Sequence, residues 1–133
     1  MLCREHSAAK SVLIADDHPV VRRATRLAFE EESDFIVCGE AENGREAIEK
    51  SEALHPDLVI MDLSMPVMNG LDVARVLKHF TPSILVIIFT GYADVLSKGD
   101  AGSAGISAVI SKSQPLSVLI DQARDLLRSQ SAA

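Results

Sequence analysis

The stretch Val12-Leu13-Ile14-Ala15-Asp16-Asp17-His18-Pro19-Val20-Val21-Arg22 decides the fold. A short all-apolar run reads as a strand buried on both faces. The acidic pair ends that run. Pro19 then stands where the first helical residue belongs, because its fixed φ suits that position and its missing N–H is not needed there. Val20, Leu27 and Ala28 follow at helical spacing. A strand that passes through two carboxylates into a helix is one βα unit with an acidic mouth.

The unit repeats along the chain. Strands are predicted at 12–15, 35–40, 57–61, 84–89 and 107–110. A helix from Gly44 or Arg45 to about Ala53 carries Ala47, Ile48 and Leu54, and His55-Pro56 stops it. Asn69-Gly70 precedes Leu71, Val73, Ala74 and Leu77. Ser113-Gln114-Pro115 opens a last helix with Leu116, Leu119, Ile120, Ala123, Leu126 and Leu127 on one face, ending in polar residues near Arg128. The fourth helix, 93–102, is the weak one: Gly99 and Gly102 lie within it and Gly105 just beyond. Each interior glycine costs about 1 kcal/mol relative to alanine. The expected fold is α/β, a flavodoxin-like (βα)5 domain with a doubly wound five-stranded parallel sheet of order 2-1-3-4-5. It spans 11–129, with 1–10 a disordered leader and 130–133 a tail.

Composition narrows the class. At 133 residues, 47% apolar and 24% charged, the chain has room for one domain with a core that needs no staples. Its longest apolar run is too short for a bilayer span, so no membrane partner is expected. Residues 1–10 carry Arg4, Glu5 and His6 where a signal peptide would need an apolar stretch, which suggests a cytoplasmic protein. Cys3 falls in the leader and Cys38 in a predicted strand, a pattern of reduced thiols, and no Cys/His cluster suggests zinc. A formal net charge of −6 opposes binding of nucleic acid by this chain alone.

In an open parallel sheet the ligand crevice lies outside the carboxyl ends of the strands. Asp16 and Asp17, Asp62, Thr90 and Lys112 all fall at such ends. Taken singly each has a plain reading: either acidic residue of the pair could cap the next helix, the threonine could shape a turn, the lysine could be solvated. Together they describe a site. Three carboxylates in one cleft repel unless a cation joins them, and hard oxygen ligands with room for water suit Mg²⁺. A carboxylate beside Mg²⁺ can attack phosphorus to form an acyl phosphate, and Asp62 is the candidate. The turn after it, Leu63-Ser64-Met65-Pro66, can bring the Ser64 carbonyl to the metal. Thr90 could donate a hydrogen bond to one phosphoryl oxygen, and Lys112 a point charge to another.

The segments Ile14-Ala15-Asp16-Asp17-His18-Pro19-Val20-Val21-Arg22, Val59-Ile60-Met61-Asp62-Leu63-Ser64-Met65-Pro66-Val67-Met68-Asn69-Gly70, Phe89-Thr90-Gly91 and Ser111-Lys112 resemble the receiver domains of two-component response regulators. The Asp16-Asp17-His18-Pro19 start is most similar to receivers whose usual output is a LuxR-type helix-turn-helix. The resemblance implies a phosphoryl group accepted on Asp62 from a histidine kinase or phosphotransfer protein. It also implies Mg²⁺ held by Asp16 or Asp17, Asp62 and the Ser64 carbonyl, and a phosphorylated state read by Thr90 and Lys112. The resemblance further implies that Ser64 and Tyr92, at positions that vary in the family, tune hydrolysis, and a homodimer is a further candidate assembly.

Val109 departs from the family, which usually carries tyrosine or phenylalanine three residues before the lysine. The stretch from Gly99 to Gly105 and Ser113, where proline often follows the lysine, are further departures. An aspartyl-phosphate phosphatase would want a second acid where Ser64 stands. A flavin binder would want a phosphate-cradling loop in place of Asp16-Asp17-His18. The expectation is therefore a signalling module that works by protein contact, not an enzyme.

Overall fold

The apolar runs become neighbouring strands of one sheet. The computed structural model describes residues 9–96 and 98–132. In chain order these form β1 (Lys10–Ala15), α1 (Pro19–Glu30), β2 (Phe35–Ala41), α2 (Gly44–Leu54), β3 (Leu58–Met61), α3 (Gly70–Phe80) and β4 (Leu85–Thr90). A 3₁₀ turn (Ala93–Val95), α4 (Lys98–Ala104), β5 (Ala108–Ser111) and α5 (Leu116–Ala132) complete the chain. The sheet order is β2-β1-β3-β4-β5, with every pairing parallel, as the alternation predicts.

Alternation along the strands divides the core in two. Val12, Ile14, Leu58, Ile60, Ile87 and Phe89 face one layer, where Phe29 of α1 and Leu119, Ile120, Ala123 and Leu127 of α5 cover them. Leu13, Ala15, Val59, Met61, Val86 and Ile88 face the other, covered by α2, α3 and Ala104 of α4. The central strands are apolar on both sides because both sides are buried.

Local chemistry sets the helix ends. Asn43 and Asn69 cap α2 and α3, their side-chain oxygens accepting from the amides of Glu46 (2.9 Å) and Asp72 (3.0 Å). His55, at φ 50°, ends α2 in the left-handed region just before Pro56. Gly70 is required by proximity: a Cβ there would lie 2.4 Å from the carbonyl oxygen of Asp62.

Several expectations need correction. Lys10 belongs to β1 and not to a leader; residues 1–8, with Cys3, lie outside the described residues. α5 continues past Arg128 to Ala132, so most of the expected tail is helical, and Gln130 donates to the Ser83 carbonyl at 2.7 Å. In α1 the helix forms where predicted, but Val20 and Leu27 are 80% and 49% exposed, while Thr25 and Phe29 are buried. Thr25 satisfies its hydroxyl on the Val21 carbonyl at 2.8 Å, which lets a polar residue share the inner face with Phe29. The fourth helix begins at Lys98 and not at 93, and runs to Ala104; a 3₁₀ turn, Ala93–Val95, takes the place of its expected first turn, and the helix is short as its glycines suggest. Cys38 is half-buried; its thiol donates to the Val12 carbonyl, and burial raises its pKa. Among the described residues no helix is long and apolar enough to cross a membrane.

Candidate functional site

Backbone bonds tie carboxyl ends of neighbouring strands, β1 to β2, β3 to β1 and β5 to β4. The amide of Asp16 donates to Ala41, that of Asp62 to Ala15 and that of Lys112 to Thr90, at 3.0, 3.1 and 2.9 Å. The residues that leave these strands therefore start from fixed positions. Asp16 and Asp62 are 4% and 3% exposed. Lys112 Nζ lies 2.8 Å from Oδ2 of each and bridges the two strand ends.

The second oxygen of each buried carboxylate is also engaged. Asp16 Oδ1 accepts from the His18 amide at 2.9 Å, folding the chain back into α1, and lies 3.2 Å from His18 Nδ1. Asp62 Oδ1 receives a long contact, 3.4 Å, from the Ser64 amide. Asp17 differs. Its Oδ1 is buried and lacks a hydrogen-bond partner, although His18 Nδ1 stands 3.2 Å away. A buried carboxylate oxygen without a donor is costly unless something positive completes it.

Lys112 cannot balance this cluster alone. Burial draws its pKa down, but hydrogen bonds to Asp16 and Asp62 outweigh burial and hold it above its ordinary value. One ammonium then faces three carboxylates. Ligand atoms of Asp16, Asp17, His18 and Asp62 all lie within 4.8 Å of one another. A set dominated by hard carboxylate oxygens, with one orphaned oxygen among them, fits Mg²⁺.

The structure thus brings together Asp16, Asp17, Asp62 and Lys112. Thr90, wholly buried, ends β4; its Oγ1 is engaged by the Tyr92 amide at 3.2 Å, and its backbone holds Lys112. Ser64 is exposed on the loop after β3, and Tyr92, 57% exposed, lies on the loop after β4. Val109 is half-buried against the α2–α3 layer. It borders a groove of about 490 Å³ shared with Ala93, Leu96, Ala101 and Ile106.

Sequence reasoning passed over two residues that touch the site and one that holds the second of them. His18 contacts both members of the acidic pair. Arg22 donates to the Asp16 carbonyl at 2.6 Å, and Glu40 accepts from Arg22 Nε at 2.9 Å. Gly39 was the one signal for the last pair, since an isolated glycine in a strand often marks a bulge.

The model of the response regulator receiver domain matches residues 12–124. A transcriptional regulator of Pseudomonas aeruginosa is 37% identical over 116 residues, which cover 87% of this chain and 56% of that protein. The response regulator VraR of Staphylococcus saprophyticus is 33% identical over 120 residues, 90% of this chain and 57% of its own length. The chain therefore spans a little over half the length of these curated relatives. Among solved structures, a LuxR-family two-component response regulator from Aurantimonas sp. superposes with a TM-score of 0.84 at 27% identity, covering 91% of this chain and 86% of that one.

Proposed function

Because the chain belongs to the response regulator receiver domain family, we propose that it is a cytoplasmic, phosphorylation-switched signalling module whose phosphoacceptor is Asp62. A histidine kinase or phosphotransfer protein is the proposed donor. The observation that carries this reading is the placement of Asp62: a buried carboxylate at a strand mouth, held on one oxygen by Lys112 and flanked by an acidic pair with an unsatisfied oxygen.

Asp62, ionised, attacks phosphorus through a carboxylate oxygen; the new O–P bond forms as the bond from phosphorus to the donor's leaving atom breaks. Asp16, Asp17, Asp62 and the Ser64 carbonyl are the groups proposed to hold Mg²⁺. When bound, that ion offsets the charge of the carboxylates and of the phosphoryl oxygens. Lys112 exchanges the Asp62 carboxylate for a phosphoryl oxygen, remaining within reach because its amide is fixed to Thr90. The Thr90 hydroxyl turns from the Tyr92 amide to donate to a second phosphoryl oxygen. Ser64 and Tyr92 border the product and set the access of hydrolytic water.

Output leaves through a protein contact, since the net acidity opposes nucleic acid. With Val109 in place of an aromatic ring, switching relies on Thr90, Lys112 and the short α4 segment. Intact-mass measurement after incubation with acetyl phosphate and Mg²⁺ tests the assignment. One phosphoryl group on the wild type and none on Asp62→Asn is expected; an unmodified wild type, or equal labelling of the variant, overturns it.

A further inference from the structure

We infer that Arg22, aimed by Glu40, is a positioning residue for the metal-binding loop; this rests on the proposed Mg²⁺ site. The pairing of β1 with β2 runs Val12↔Val37 and then Leu13↔Gly39, so Cys38 is an extra, bulged residue. Before the bulge, Phe35 and Val37 face the α1–α5 layer. Strict alternation would send Gly39 and Ala41 to that side and Glu40 to the opposite one. The bulge reverses the phase: Ala41 joins the α2–α3 layer, and Glu40 pairs with Ile14, whose side chain faces α1.

Thus re-aimed, the Glu40 carboxylate meets α1. One oxygen accepts from Arg22 Nε at 2.9 Å and the other from Arg26 Nη1 at 2.7 Å. Arg22 spends its remaining reach on the Asp16 carbonyl, at 2.6 Å through Nη1. The Arg22 side chain is 16% exposed and its guanidinium is planar, so holding Nε on Glu40 fixes the direction of Nη1. Asp16 and Asp17 leave β1 through that peptide. Arg22 therefore orients the loop that presents both carboxylates, in the way outer partners of metal ligands fix their ligands.

Charge and position make opposite predictions here. Arg22 places a cation beside carboxylates that must accept another cation, so on electrostatics alone its removal should tighten Mg²⁺ binding. If its work is positional, removal weakens binding. The test is calorimetric titration of Mg²⁺ into the full chain and into Arg22→Gln, Arg22→Lys and Arg26→Gln, each first shown to retain the wild-type circular dichroism and cooperative unfolding.

Arg22→Gln should bind Mg²⁺ about tenfold more weakly, the lower end of the range for such outer partners. Arg22→Lys keeps the charge but has a single point donor, so it should fall between wild type and Arg22→Gln. It also stands in should Arg22→Gln fail to fold. Arg26→Gln, which touches Glu40 but not Asp16, should stay within twofold. Amide exchange of Asp17 and His18 in the metal-free protein should quicken most in Arg22→Gln, less in Arg22→Lys and not at all in Arg26→Gln. Unchanged or tighter Mg²⁺ binding by Arg22→Gln and Arg22→Lys, or equal weakening in Arg26→Gln, overturns the inference. A wild type that binds no Mg²⁺ overturns instead the reading of the site on which it rests.

Discussion

Replacing Lys112 by methionine removes the one cation between Asp16 and Asp62 while keeping most of the side-chain volume. Its Nζ lies 2.8 Å from an oxygen of each carboxylate, and both carboxylate side chains are at most 6% exposed. At an effective dielectric of about 20, a unit pair at that distance is worth about 6 kcal/mol before desolvation. Desolvation of the lysine offsets much of this, and breaking a buried pair by deleting one partner typically costs about 3–5 kcal/mol. We predict a loss in that range for metal-free Lys112→Met, read by urea unfolding at neutral pH. Lys112 has its folded pKa raised above 10.5, so its contribution is complete below that value and lost only as pH rises through the folded one.

Saturating Mg²⁺ should restore part of the loss, because the ion takes the place of the missing ammonium and no longer competes with it for the same oxygens. Its dissociation constant should fall about tenfold, which corresponds to about 1.4 kcal/mol more stabilisation at a fixed high concentration. A metal-free loss under about 1 kcal/mol, or a penalty that Mg²⁺ leaves unchanged, would refute the view that lysine and metal share Asp16 and Asp62.

Three further outcomes are expected. Gly70→Ala should cost up to about 3 kcal/mol, since its Cβ would stand 2.4 Å from a backbone oxygen that cannot yield as a side chain could; an unaltered melting temperature would show that the loop relaxes freely. Glu40 has its pKa lowered from 4.5: burial raises it, but hydrogen bonds from Arg26 and Arg22 prevail. Its stabilisation is thus complete above about 4.5 and fades as pH falls through the lower folded value, so Glu40→Gln should show a shallower acid loss than wild type in unfolding measured across that window; parallel curves would argue against it. Tyr92→Ala should shorten the lifetime of the phosphorylated form followed by mass, because an exposed ring two residues past Thr90 is proposed to hinder hydrolytic water; an equal or longer lifetime would count against shielding.

Much of the sheet was legible because strands buried on both faces leave runs such as Leu58-Val59-Ile60-Met61, and because Pro19 and Asn69-Gly70 mark helix starts with known chemistry. The convergence of Asp16, Asp17, Asp62 and Lys112 followed from strand order alone, once each stood at a strand end. The face of α1 was misread because exposed apolar residues, Val20 and Leu27, compete with Thr25 in any count of hydrophobic spacing, and a threonine that bonds its own helix leaves no mark of burial in sequence. The end of α5 was missed because polar residues past Arg128 continue a helix held by its earlier apolar face. The Arg22–Glu40 pair depends on a one-residue bulge that reverses the phase of β2, and alternation alone assigns Glu40 to the wrong side.

The most direct test of the central claim is to trap the acyl phosphate chemically. Borohydride reduces an aspartyl phosphate to homoserine, whereas a free carboxylate is left unchanged, so peptide mapping after treatment with acetyl phosphate, Mg²⁺ and borohydride reports the residue that carried the phosphoryl group. Homoserine at position 62 alone is the predicted result. Conversion at Asp16 or Asp17 with Asp62 intact, or at no aspartate in a chain shown to bind Mg²⁺, would contradict it.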